Sequence, residues 1–319
     1  MNRRELFKRA GAFGILTAMP SAFVNQLRAA SASDEGKNSP TQNQPMPVQN
    51  PLHPPAHGPI PVAFLLSDGA VMIDFAGPWE VFQDVMIPSR GASMNEQMPF
   101  RLYTVAQTRR PIEASGGMKI IPDYTFDNAP APKVLVIPAQ SAASPRTKAW
   151  IRKVTKNTDV TMSVCTGAFV LASTGLLSGK SATTIHGSYA RLATTYPDIQ
   201  VKRGLRFVED GNLASSGGLS SGIDLALRVV ERYFGTEVAE QTAFSMEYQG
   251  QGWKNPNSNA VYAQPFPQNA NHPVCPVCGM DPDLSLNSAY KGKTYYFCSQ
   301  DHKQEFQAGP EKFIAETGK

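Results

Sequence analysis

Between residues 61 and 248, short apolar runs alternate with stretches whose apolar residues recur every three or four positions. That is the pattern of a parallel sheet whose strands are joined by crossover helices. Strands are predicted at Val62 to Leu66, Arg101 to Val105, Val134 to Ile137, Val160 to Val164 and Ser181 to Ile185. Helices are predicted at Gly77 to Met86, Arg146 to Lys156, Gly167 to Leu176, Tyr189 to Thr195, Ser220 to Tyr233 and Glu237 to Tyr248. Lys202 to Ala214, interrupted by Asp210-Gly211-Asn212, reads as a hairpin that turns at the Asp-Gly pair. The expected architecture is an α/β doubly wound sandwich with its reactive groups at the carboxyl ends of the strands.

The pattern lapses on either side. Residues 33–60 hold Pro40, Pro45, Pro47, Pro51, Pro54, Pro55 and Pro59 among polar residues, which suits an extended linker; His53 and His57 within it are read as solvated. Residues 249–271, rich in Gly, Asn, Gln and Pro, read as a second linker, and residues 272–316 as a small cysteine-rich α+β domain. Residues 1–32 join Arg3-Arg4 to a weakly apolar stretch from Ala10 to Phe23 and to Ala30-Ser31-Ala32. This resembles a twin-arginine signal peptide with an A-x-A cleavage site, the alternative being an amphipathic helix of the mature fold. Such a signal implies export of an already folded protein to the bacterial periplasm, where exposed thiols meet oxidants.

Composition narrows the function classes. A chain of 319 residues with 41% hydrophobic and 18% charged residues has the makings of two globular domains, and no apolar run reaches the ~18 residues of a membrane span. Of 30 basic and 26 acidic residues, five basic and one acidic fall in the first 32, so the remainder is balanced in sign. A neutral mature protein is not built to hold nucleic acid by charge.

Candidate chemistry begins at Cys165, which follows the apolar strand Val160 to Val164 and precedes Thr166-Gly167-Ala168. A cysteine at a sharp strand-to-helix turn among small residues has the placement of a nucleophile elbow, and the helix end is expected to lower its pKa. A buried, inert cysteine is the alternative.

Five ordered motifs sharpen this reading: Ile73-Asp74-Phe75-Ala76-Gly77-Pro78-Trp79-Glu80-Val81-Phe82, Val136-Ile137-Pro138, Ser163-Val164-Cys165-Thr166-Gly167-Ala168, Gly179-Lys180-Ser181-Ala182-Thr183-Thr184 and Ser216-Gly217-Gly218-Leu219-Ser220-Ser221-Gly222-Ile223-Asp224. Residues 61–248 thereby resemble the ThiJ/PfpI superfamily, glutamine-amidotransferase-like, in the branch that holds isonitrile hydratase and the sensor domains of some AraC-type regulators. The resemblance implies a flavodoxin-like fold, a homodimer, Cys165 as nucleophile with Thr166 after it, and Asp74 as the acid/base facing the thiol. Thr166 stands where the protease-like branch has His, which removes that branch's base. No cofactor is expected for this domain. Glu80, His186 and Gly167 are accessory candidates, with helix solvation for Glu80 and a structural hydrogen bond for His186 as alternatives. Ser215 and Ser216 read as turn-forming. Two departures stand out: Ala139-Gln140 replaces the usual Gly-Gly, and Ile185 separates Thr184 from His186.

In the tail, Cys275-x2-Cys278 is followed after 19 residues by Cys298, and His302 lies four positions on. The spacing approaches that of a zinc knuckle. Cys278-Gly279-Met280, Tyr290 to Ser299, Phe306 and Pro310-Glu311-Lys312-Phe313 resemble the YHS domain of heavy-metal transport and resistance proteins. Cys275, Cys278, Cys298 and His302 are the expected ligands, for zinc or, with Met280 near, copper(I). A disulfide from Cys298 to Cys275 or Cys278 is the alternative. His272 is read as a solvated linker residue.

Two functions compete. One is a periplasmic, cysteine-dependent hydratase or hydrolase of a small carbon-nitrogen compound, an isonitrile hydratase-like lyase with a metal-binding tail. The other is a non-enzymatic ligand, redox or copper/zinc sensor. A DNA-binding regulator is disfavoured, because the residues after Tyr248 hold a metal motif in place of two helix-turn-helix units.

Overall fold

The computed structural model describes residues 49–55, 58–263, 273, 275–277 and 282–314; the signal-like segment, most of the first linker, His57, His272, Cys278 and Met280 lie outside these. In chain order the first unit runs β1 (Ile60–Leu65), α1 (Met72–Asp84), α2 (Met94–Gln97), β2 (Phe100–Ala106), β3 (Ile112–Glu113), β4 (Lys119–Ile120), β5 (Tyr124–Thr125), β6 (Val134–Ile137) and α3 (Pro145–Thr155). It continues with β7 (Val160–Val164), α4 (Gly167–Ala172), β8 (Ser181–Ala182), α5 (Tyr189–Thr195), β9 (Gln200–Val201), β10 (Phe207–Asp210), β11 (Leu213–Ser216), α6 (Ser221–Phe234) and α7 (Thr236–Ser245).

Seven strands form one sheet in the order β10-β11-β7-β6-β1-β2-β5, parallel except for the β10–β11 hairpin. The sheet is buried on both faces, which is why its strands read as continuous apolar runs. Alternate residues divide between two cores. Val62, Phe64, Val134, Val136 and Met162 pack under α1, α6 and α7, while Ala63, Leu65, Leu135 and Ile137 face the α3 and α4 side.

Four differences from the predicted elements come from contacts between residues remote in sequence. The first helix starts at Met72, five residues before the predicted Gly77, because the Ser115 hydroxyl accepts the Met72 amide from 43 residues away. Pro78 therefore lies inside α1 and leaves the Asp74 carbonyl without its helical donor. The strand predicted over Ser181 to Ile185 ends at Ala182, since Thr183 and Thr184 are drawn into the bonds that brace the elbow. Residues 249–263 are not a free linker. Trp253 is 2% exposed and its amide bonds Asp224, while Arg206 joins Asp224, Asn259 and Ser220. At the other end, Leu52 bonds the Arg232 carbonyl and Arg232 bonds the Asn50 carbonyl, so the first linker is docked by residue 50.

The tail is a hairpin of β12 (Asp283–Tyr290) and β13 (Lys293–Phe297) followed by α8 (Gln300–Ala308). Lys291 and Gly292, both left-handed, make the two-residue turn. Phe306 of α8 is the hub of the tail's core, against Tyr290, Tyr295, Phe297 and Phe313. Among the described residues no helix is long and apolar enough to cross a membrane.

Candidate active site and metal centre

Cys165 sits at the carboxyl end of strand β7 with φ of 58°, a left-handed conformation that costs a residue with a Cβ on the order of 1–3 kcal/mol. Its neighbours impose it. A Cβ on Gly167 would lie 2.2 Å from the Ile137 carbonyl oxygen, so α4 starts hard against the end of β6 and the chain must reverse within one residue. The Cys165 amide donates to the Gly217 carbonyl at 3.0 Å, and the Thr184 hydroxyl donates to the Cys165 carbonyl at 2.8 Å. A second left-handed residue, Leu219 with φ of 51°, closes the far wall and brings its amide toward both Cys165 and Asp74.

Asp74, in the first turn of α1, is fully buried, and its Oδ2 accepts the Ala139 amide at 3.1 Å. Burial pushes its carboxyl up to about 6, against the opposing pull of the Ala139 and Leu219 amides and the Cys165 thiol. Leu219 and Cys165 come near enough to lower that value, yet among the described residues Oδ1 lacks a hydrogen bond of normal geometry. Burial and the facing Asp74 push the thiol up to about 12, opposed by the Thr166 amide and hydroxyl and by the Leu219 amide. The expected lowering by the helix end is thus overturned, because desolvation of a thiol only 7% exposed outweighs the amides of the six-residue α4. Two facing acids in one dry space carry a single negative charge between them near neutrality.

The structure gathers Cys165, Asp74, Thr166 and Gly167. Glu80 is not brought into this group: it is exposed on α1 and accepts from Gln83. Nor is His186, which stacks on Tyr262 with ring centroids 5.2 Å apart and makes no hydrogen bond to Cys165 among the described residues. Burial lowers its pKa. At the position of the usual Gly-Gly, the Ala139 amide is taken by Asp74, while the Gln140 side chain turns away to Ser67 and the Leu65 carbonyl. Ser215 accepts the Thr183 amide and Ser216 donates to the Ser163 carbonyl, so both are structural. The contributions of Ala139, Thr184 and Leu219 were missed from sequence; the Thr-Thr and Gly-Gly-Leu strings were visible, but not the backbone groups they present.

In the tail, Cys275 of the loop before β12, Cys298 at the end of β13 and His302 of α8 converge. The His302 Nδ1 lies 3.1 Å from the Cys298 Sγ and 3.7 Å from the Cys275 Sγ, and all three atoms fall within 4.8 Å of one another. A tetrahedral zinc, about 2.3 Å from sulfur and about 2.0 Å from nitrogen, sets its ligand atoms about 3.5–3.8 Å apart. The three described ligands fit a metal of this size. The fourth expected ligand, Cys278, is outside the described residues.

Comparison with known proteins matches residues 61–232 to the DJ-1/PfpI family and residues 274–317 to the YHS domain. Isonitrile hydratase of Pseudomonas putida is 32% identical over 192 residues, covering 59% of this chain and 78% of that protein. The HTH-type transcriptional regulator CdhR of Pseudomonas aeruginosa is 27% identical over 184 residues, covering 56% of this chain and 52% of the regulator, about half its length. Among solved structures, a ThiJ/PfpI family protein from Pseudomonas syringae is 26% identical with a TM-score of 0.53, covering 61% of this chain and 77% of that one. DJ-1beta of Drosophila melanogaster shares the fold, with a TM-score of 0.51 at 19% identity over 60% of this chain and all of that one.

Proposed function

The chain belongs to the DJ-1/PfpI family and carries a YHS domain at its C-terminal end, and from that premise we propose that it is a cysteine-dependent hydratase of small isonitriles. The observation that carries the reading is the buried Asp74 carboxyl facing the Cys165 thiol, two acids that hold one charge between them.

That pair suits an isonitrile, whose terminal carbon accepts a nucleophile and a proton in turn. Asp74 as carboxylate takes the thiol proton while the Cys165 sulfur bonds the terminal carbon, and then returns the proton to that carbon, leaving an S-linked formimidate. Asp74 next deprotonates a water that adds to the same carbon. Asp74 passes that proton to the nitrogen, then takes the hydroxyl proton and hands it to the sulfur as the carbon–sulfur bond breaks, and the N-substituted formamide departs, for a net addition of one water. Thr166 and the Leu219 amide lie where they steady the sulfur's negative charge.

The test is formamide production from a small alkyl isonitrile, followed by mass spectrometry. On this reading Cys165→Ala abolishes it and Asp74→Asn lowers it by about 10²–10⁴. Wild-type protein that binds the isonitrile without converting it favours a sensor instead, a role to which a thiol held protonated and 7% exposed is also suited.

The tail is proposed to hold zinc or copper(I) on Cys275, Cys278, Cys298 and His302. When bound, the ion supplies a cross-link between loop, strand and helix. Twin-arginine export to the periplasm and a homodimer complete the proposal; Arg3→Lys with Arg4→Lys should leave the protein in the cytoplasmic fraction, and light scattering gives the oligomeric mass.

A further inference from the structure

α8 has a solvent face, and Asp301, Gln304 and Gln307 lie on it. Glu305 does not use it. It follows His302 by three positions, so the two side chains are neighbours on one face of the helix. Its Oε1 is buried and has no hydrogen-bond partner among the described residues. An acceptor kept from water without a donor is costly.

The groups whose charges reach that carboxylate come from every element around it: His302 on its own helix, Cys275 on the preceding loop, Lys312 in the turn after α8, and Arg191 on α5 of the sandwich. Neither basic side chain satisfies it. Arg191 lies over the Phe169 ring at 4.5 Å from its centroid, and among the described residues neither Arg191 nor Lys312 forms an ion pair with Glu305. Two members of the surrounding set, His302 and Cys275, belong to the cluster that fits a metal. A cation held in that cluster adds positive charge beside an oxygen that no hydrogen bond satisfies among the described residues.

We propose that Glu305 is a specificity-determining residue of the metal centre, its inward carboxylate favouring a divalent over a monovalent cation held by Cys275, Cys298 and His302. The inference rests on the metal reading above and deepens it: with the same thiolates and imidazole, the added charge selects zinc(II) over copper(I). Coulomb attraction scales with the charge of the ion, so removing the carboxylate lowers the logarithm of affinity twice as far for a divalent ion as for a monovalent one.

The experiment measures zinc(II) and copper(I) affinities of the full chain by chelator competition, for wild type and Glu305→Gln. Glu305→Gln keeps the side chain's shape and removes its charge. The expected result is a loss of about tenfold or more for zinc(II), in the range found for residues that support a metal from outside its ligands, with about threefold for copper(I). Equal losses for both ions would mean that Glu305 acts only through the fold, and unchanged zinc affinity would mean that it does not sense the metal; either overturns the proposal alone. Wild-type protein that binds neither ion overturns the metal reading and this one with it.

Discussion

Asp74 is held by the native fold in a place where its charged form is disfavoured, and that has a measurable cost. Its pKa in the folded protein is raised from 3.8 to about 6, so the folded state binds the proton more tightly than the unfolded chain does. The stability contributed by the protonated acid is fully present below pH about 4 and is lost as pH rises to about 6; above that the loss is constant, at about 3 kcal/mol for a shift of roughly two units. Asp74→Asn should therefore be more stable than wild type in urea unfolding at pH 7, by up to that amount, and show no gain near pH 3.5. The same variant should lose about 10²–10⁴ in isonitrile turnover, the usual worth of a general acid/base. A variant that is less stable at neutral pH would show that the carboxylate's hydrogen bonds outweigh its desolvation. For wild type, turnover should rise as pH passes through about 6, where Asp74 becomes able to accept the thiol proton.

At the scale of elements, the elbow depends on the seam between α4 and β6. The Cβ of Gly167→Ala would meet two backbone oxygens, at 2.2 Å from Ile137 and 2.8 Å from Pro138, and backbone cannot step aside as a flexible side chain can. Thermal unfolding should register a loss of about 3 kcal/mol or more, large for one added methyl; a loss below 1 kcal/mol would mean that the helix slides freely. What could be foreseen from sequence follows from where the determinants lie. β6 and β7 match prediction to the residue because their apolar runs carry their own burial on both faces. The start of α1, the early end of β8 and the docking of residues 249–263 depend on Ser115, Ser215 and Asp224, partners remote in sequence. The site divides the same way. Cys165, Asp74 and the Cys275, Cys298 and His302 trio are visible as residue types in ordered motifs, whereas the thiol's raised pKa and the buried Glu305 oxygen arise from desolvation that no local pattern encodes. A domain cut at residue 248, where the helical pattern stops, should accordingly melt well below one cut at 263. The shorter piece loses the Trp253 side chain from the core, a change of the kind that costs about 3–5 kcal/mol.

Over the whole molecule, the large apolar interior of the sandwich and the small one of the tail predict two separable transitions. The sandwich buries both faces of a seven-stranded sheet. Among the described residues the tail's core is six buried side chains, Cys275, Val277, Tyr295, Phe297, Phe306 and Phe313, and an assembly this small needs a staple to hold its elements together. The proposed ion is that staple, because Cys275, Cys298 and His302, from a loop, a strand end and a helix, are the three side chains it would tie together. Chelation, or Cys298→Ser, should melt the tail while the sandwich stays folded. The three tryptophans, Trp79, Trp150 and Trp253, all lie in the sandwich or the segment docked on it, whereas the tail has only tyrosine and phenylalanine. Tryptophan fluorescence should thus be unmoved by chelator under conditions where tyrosine circular dichroism and amide exchange in β12, β13 and α8 report unfolding. A tail that keeps its exchange protection without metal would show that aromatic packing around Phe306 suffices, and would leave the ion a bound cargo rather than part of the fold.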